Sequence, residues 1–284
     1  HRNTRRQRQM CIRDRSGAYS TFMLPNDQEV FKDRINEVTN AIKLVFASIF
    51  FQESKSHFSH TAHRTEEEKM AVILMEIAGK KYSSGRFYPT FSGVLKSINF
   101  YPVSYMKRDE GVCYLALGFG KTIVDGGKCL GISPKYPAIK PQFATIKSTI
   151  QNSQSNFFAL ELKDKEFNLK KDLKMHDLSS AEEDESLKWM GGVITSEDNI
   201  LRNSLSYQGI RVVNFSQILD WNVIPLCDIL NELLALGKQA LGCPVEIEFA
   251  VNMNDNGPSE FYLLQIKPMP VSYTHLTLPT SVPG

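Results

Sequence analysis

Four residues near the C-terminal end have the types and spacing to hold a cation against an anionic substrate: Glu246, Glu248, Gln265 and Lys267. The first two stand in Cys243-Pro244-Val245-Glu246-Ile247-Glu248-Phe249-Ala250-Val251, the last two in Glu260-Phe261-Tyr262-Leu263-Leu264-Gln265-Ile266-Lys267-Pro268. Both runs alternate with period two, so each predicts a half-buried strand. The turn formers Asn254-Asp255-Asn256-Gly257-Pro258 between them predict a hairpin. Alternation puts Glu246 and Glu248 on one face and Val245, Ile247, Phe249 and Val251 on the other. On the second strand it groups Phe261, Leu263, Gln265 and Lys267. Carboxylates two residues apart on a strand lie about 7 Å from each other and repel unless a cation intervenes. Carboxylate and carboxamide oxygens suit Mg²⁺, which also keeps water and phosphate oxygens. A solvated polar face on an edge hairpin accounts for the same pattern, and both readings stand on pattern alone.

Other chemistry-bearing residues are less coherent. His57, His60 and His63 crowd a polar stretch, but their spacing is irregular for one helix face and no carboxylate lies between them. Gly118-Phe119-Gly120-Lys121-Thr122 has the flavour of a phosphate loop, yet that motif needs a glycine where this chain has Leu115. The expectation is a glycine-rich turn ending a strand, with Lys121 facing solvent or a cleft edge and no phosphate cradle. His176 lacks the glycine-rich surround of a phosphocarrier. The five cysteines, Cys11, Cys113, Cys129, Cys227 and Cys243, form no CxxC and no zinc spacing, which fits a reducing, cytoplasmic compartment.

The elements that would position these groups can be read in order. Pro25-Asn26-Asp27 opens a helix whose apolar positions, from Val30 and Phe31 through Val45, Phe46 and Ile49, keep helical spacing to about Phe51. Met70 to Ile77 is nearly all apolar and predicts a central strand. Further strands are expected at Phe91–Ser97, Gly111–Leu117, Asn156–Leu162 and Arg211–Phe215, with a charged connector over Lys163–Lys174. Ser180-Ala181-Glu182-Glu183 matches a capping box before a short helix reaching about Met190. Pro225 to Leu241 predicts a helix stopped by Gly242. Strands and helices mix without strict βαβ order, so the fold class is α+β, with a mixed or antiparallel sheet and helices on one side.

With 284 residues, 42% hydrophobic and 23% charged, the composition is that of a globular protein. A net charge of +2 argues against a dedicated nucleic-acid binder. Six arginines fall in the first fifteen residues, and the remainder is acidic. No apolar run reaches the roughly 20 residues of a membrane helix, and no apolar stretch follows the basic N-terminus as in a secretory signal. Residues 1–16 and 271–284 lack periodicity and resemble translated sequencing-adapter ends; a basic-tail function is the alternative. The expected organisation is tail 1–16, globular region 17–270 and tail 271–284, with both tails unpacked.

Taken in order, several segments resemble the ATP-binding domain of the phosphoenolpyruvate synthase / pyruvate phosphate dikinase family. They are Thr21-Phe22-Met23-Leu24-Pro25-Asn26, Ile42-Lys43-Leu44-Val45-Phe46-Ala47-Ser48, Met70-Ala71-Val72, Phe91-Ser92-Gly93-Val94, Ala116-Leu117-Gly118-Phe119-Gly120-Lys121-Thr122-Ile123-Val124, and the two hairpin strands. The resemblance implies an ATP-grasp-like fold whose lobes clasp ATP. It implies that Glu248 and Gln265 hold Mg²⁺ on the ATP phosphates, with Glu246 at the preceding acidic position. Lys267 takes the catalytic, phosphate-contacting place where relatives commonly carry Arg; the charge is kept and the bidentate fork is not. Adenine would be met by backbone over Glu76, Ile77 and Ala78, after Met75, where many relatives have Gln. Gly17 matches a small loop near the phosphates. In the family the phosphoryl group passes to a histidine on a swivelling domain and then to pyruvate. The family's Val-Arg-Ser-Ser motif, swivel domain and barrel have no counterpart in this sequence. The expectation is therefore weak or undetectable ATP binding, and no AMP formed from ATP with pyruvate. Related phosphotransferases acting on a glucan or an antibiotic, and a non-catalytic domain keeping the fold, are the alternatives.

Overall fold

The computed structural model describes residues 21–50, 71–162 and 173–269. The two tails, Gly17, the histidines His57, His60 and His63, and the connector over 163–172 lie outside the described residues. The chain runs through helix α1 (Phe31–Ala47), strands β1 (Lys80–Lys81), β2 (Arg86–Tyr88), β3 (Phe91–Lys96) and β4 (Val112–Leu117), and the single turn α2 (Lys121–Val124). Next come β5 (Leu130–Ile132), α3 (Ile146–Asn152), β6 (Asn156–Glu161), β7 (Lys174–Asp177), α4 (Leu178–Glu183), β8 (Gly191–Thr195), β9 (Leu201–Arg202) and β10 (Gly209–Val213). Helices α5 (Ser216–Leu219) and α6 (Leu226–Leu241) precede the hairpin β11 (Val245–Asn252) and β12 (Glu260–Pro268). The strands form three sheets, ordered β12-β11-β3-β4-β5, β1-β2-β6-β7 and β10-β8-β9, and every pairing is antiparallel. Among the described residues no helix is long and apolar enough to cross a membrane.

The five-stranded sheet carries the hairpin. One face is built from Leu95, Cys113, Leu115, Ile247 and Phe249, all fully buried. Leu226, Leu230 and Leu234 of α6 recur every four residues, so they line one side of the helix, and all three are buried. Gly237 lets the helix approach: a Cβ there would stand 3.0 Å from Ile266 Cδ1 and 3.1 Å from Val245 Cγ2. Gly242, with φ 63°, ends α6 in the left-handed region, and its N–H donates to the Lys238 carbonyl at 2.9 Å. The helix thus covers one face of the sheet and leaves Glu246 and Glu248 on the other.

Buried polar groups pin strands of both larger sheets. Asp184 accepts from Arg86 Nε at 2.7 Å and from the Tyr88 hydroxyl at 2.8 Å. The Gln154 side chain accepts from Leu117 N at 2.8 Å and donates to the Leu117 carbonyl at 3.0 Å, acting as a substitute strand at the end of β4.

Several expectations need correction. Residues 71–77 form no strand; Ile73, Leu74 and Met75 are exposed. An apolar run becomes a strand only when it joins a ladder, and none among the described residues accepts it. Helix α1 starts four residues later than Asp27 and gives way to a 3-10 turn at Ser48–Phe50. Its buried residues are Glu37 and Ala41, while Phe31, Ile35 and Phe46 of the apolar stripe are exposed. Ser180 lies inside α4 rather than capping it: the cap is Asp177, whose carboxylate accepts from Ser180 N at 3.2 Å. That helix ends at Glu183, and a separate 3-10 turn spans Leu187–Trp189.

Candidate functional site

The hairpin forms as its alternation requires. In the register, Glu248 stands opposite Gln265 and Glu246 opposite Lys267, so all four share the face turned away from α6. One expected grouping fails. The register shifts between Glu248 and Phe249, where Leu264 is the extra residue on β12. That bulge reverses the alternation, so Leu263 and Phe261 pair with Phe249 and Val251 rather than sharing a face with Gln265 and Lys267. The Phe261 ring stacks on Phe249 at 4.9 Å.

The cation demanded by two adjacent carboxylates is present in the chain itself. Lys267 Nζ lies 3.0 Å from Glu246 Oε1 and 3.0 Å from Glu248 Oε1. A second ammonium, Lys96 Nζ, lies 3.1 Å from Glu246 Oε2. Partial burial alone would raise the Glu246 pKa, but hydrogen bonds from Lys267 and Lys96 outweigh it and hold this carboxyl below its ordinary range. Partial burial would likewise lower the Lys267 pKa; Glu246 and Glu248 outweigh it and raise the pKa. Two cations and two carboxylates leave the cluster neutral. Glu246 has both oxygens engaged, whereas Glu248 is paired through Oε1 alone among the described residues, and Gln265 is exposed.

The segment proposed for adenine adjoins the same hairpin at its other end. Met75 and Glu76 are exposed, while Ile77 and Ala78 are partly covered, with Ile77 packed on the core. Asn252 Nδ2 donates to the Gly79 carbonyl at 3.1 Å, and Lys80 Nζ donates to the Met253 carbonyl at 2.7 Å. Glu260 accepts the Tyr262 hydroxyl at 2.7 Å and is the chief cause of that phenol's raised pKa; the Glu76 charge adds to it. From Tyr262 to Gln265 is about 10 Å along β12 by strand rise. That is the order of length separating a purine from the outer phosphates of a nucleotide.

The glycine-rich turn ends β4 as expected, but a four-residue helix that the sequence does not predict begins at Lys121. Two of the turn's amides are taken by the protein: Gly118 N donates to the Thr90 carbonyl at 3.4 Å and Phe119 N to the Phe158 carbonyl at 3.3 Å. Lys121 Nζ pairs with Asp125 at 2.8 Å and lies over the Phe158 ring. His176 sits in β7 beside Phe157, with Nε2 3.7 Å from Glu161; burial lowers its pKa.

A family model for the AMP/ATP-binding domain of pyruvate phosphate dikinase matches residues 14–277. The chain belongs to that family. No curated protein matches it. Membership makes the fold ATP-grasp-like, and makes the chain the ATP-binding part of a dikinase- or synthase-like enzyme of the phosphotransferase class.

Among the described residues no three His, Cys, Asp or Glu side chains group as a metal cluster. A divalent ion at the hairpin would therefore rest on few protein oxygens and take its remaining ligands from phosphate and water, which is the habit of Mg²⁺. Glu248 and Gln265 fit that demand; Glu246, saturated by two ammoniums, does not fit as a ligand. Sequence reasoning passed over Lys96. Its signal was its place at the end of Phe91–Lys96, two residues from Val94 and four from Ser92 on the same strand face. Only the pairing of β3 with β11 shows which carboxylate it meets.

Proposed function

We propose that this hairpin is the Mg-ATP half-site of a phosphoenolpyruvate synthase- or pyruvate phosphate dikinase-like phosphotransferase. The reading rests on one observation above the rest: Glu248 and Gln265 are direct cross-strand partners on the open face, with the Lys267 ammonium beside them. Glu248 and Gln265 would hold the ion, whose chemistry when bound is to neutralise and orient the phosphate oxygens. Lys267 would share its three donors between the carboxylates and a phosphate oxygen. The backbone over Glu76–Ala78 would offer amides and carbonyls to the adenine edge. In this reading the phosphoryl group goes to a histidine on another domain and finally to pyruvate, in the cytoplasm.

Binding rather than turnover is the test, because the acceptor histidine belongs to another domain in this reading. Titrating the chain with ATP plus Mg²⁺, and with ATP plus chelator, should give weak, saturable binding that Mg²⁺ strengthens. Glu248→Ala and Gln265→Ala should each remove that metal-dependent gain. Affinity identical with and without Mg²⁺ in the parent chain would instead leave the four side chains as an edge ion-pair cluster.

A further inference from the structure

We propose that Lys96 is a second phosphate-binding cation of this site and that Glu246 is the residue that positions it. This rests on the nucleotide reading of the hairpin and extends it to a neighbouring strand. In the register Lys96, Glu246 and Lys267 form one row across β3, β11 and β12. Glu246 holds Lys96 through Oε2 at 3.1 Å and Lys267 through Oε1 at 3.0 Å. A carboxylate with both oxygens so used is a bracket for two ammoniums, and it fixes their spacing. Each ammonium carries three donors. Lys96 spends one on Glu246, and its side chain stays one-third exposed on the open face.

The spacing selects the ligand class. Strands β3 and β12 flank β11, so their backbones stand about 10 Å apart. Two ammoniums reaching inward from that span, with Glu248 and Gln265 in the next row, suit several linked phosphoryl groups better than a single phosphate or a carboxylate. Val94, opposite Glu248 on the Lys96 side, is apolar and buried, so that row offers no rival cation from β3. Lys96 would thus take the outer phosphates of the nucleotide tail on the side away from Lys267. An ordinary cross-strand ion pair is the competing explanation, and such a pair contributes little to stability and nothing to anion affinity.

The test uses the whole chain and tripolyphosphate without divalent metal, followed by NMR titration, with adenosine as the control ligand. Lys96→Met keeps the stem and removes the charge. It should weaken tripolyphosphate about tenfold, the loss expected for one charge-assisted hydrogen bond, and leave adenosine binding within twofold. Lys96→Arg should restore most of the affinity. If the parent chain binds tripolyphosphate and Lys96→Met binds it equally well, Lys96 is only an ion-pair partner, and the inference fails while the hairpin reading survives. If the parent binds neither tripolyphosphate nor ATP, the hairpin reading fails and this inference with it. Weakening by Lys96→Met that Lys96→Arg does not rescue would assign the effect to altered packing and overturn the phosphate contact.

Discussion

At the scale of single residues, the site is a matter of which oxygens are free. Glu246 and Glu248 are two residues apart with different situations: one grips two lysines through both oxygens, the other shares one of them through Oε1. Truncating Glu246 removes the Lys96 partner and leaves Lys267 with Glu248 alone. Glu246→Ala should lower stability by about 1–3 kcal/mol, below the range for a fully buried pair because both lysines retain solvent, as chemical denaturation would measure. The same groups set a pH profile. Glu246 and Asp184 have folded pKa values below the ordinary 4.5 and 3.8, the latter because Arg86, Ser84 and Tyr88 outweigh its burial. Their stabilisation is complete above those ordinary values and is lost as pH falls through the depressed folded ones. His176, lowered from 6.5 by burial, binds its proton more readily when unfolded, so stability begins a shallower decline below about 6.5. Lys267, raised above 10.5, gives the opposite limb: its contribution is complete below 10.5 and lost as pH rises through the folded value. Melting temperature followed across pH should therefore show a plateau between neutral and mildly alkaline pH. Asp184→Asn should flatten the acid limb.

At the scale of elements, the hairpin and α6 were legible in the sequence because their signals are local. Strict alternation fixed β11, and Pro225, the four-residue leucine spacing and Gly242 bounded the helix. The bulge at Leu264 was not legible, since β12 reads as unbroken alternation and only its partner shows the extra residue. Residues 71–77 misled for the converse reason: their apolar run is a strand signal that needs a partner to act on. The contact between β3 and β11 offers a sharp check. Gly93 lies opposite Phe249, and a Cβ there would fall 2.2 Å from the ring. Since Phe249 is fully buried and stacked on Phe261, it has little room to move. Gly93→Ala should cost about 1–3 kcal/mol by overpacking and weaken nucleotide binding indirectly by tilting β11. Leu230→Ala, which opens a cavity under the same sheet, should cost about 2–5 kcal/mol by denaturant unfolding while leaving the polar face in place.

At the scale of the whole molecule, the fold divides labour between the two faces of one sheet. Helix α6 closes one face into a core, and the other presents charge. The family resemblance could be drawn from scattered segments because they recur in a fixed order, and the match over 14–277 establishes it. What no single segment carried was the assembly of Lys96 from β3 with the hairpin, which depends on pairing across some 150 residues of chain. The central claim is that Glu248 and Gln265 take a divalent ion together with ATP. The most direct measurement is NMR of the isotopically labelled chain titrated with ATP and Mn²⁺, a paramagnetic stand-in for Mg²⁺. Line broadening should be strongest at residues 246–248 and 265–267, extend more weakly to Lys96, spare Lys121 and the Gly118–Gly120 turn, and vanish in the Glu248→Ala/Gln265→Ala double variant. Broadening centred on the Gly118–Thr122 turn, or unchanged in the double variant, would contradict it.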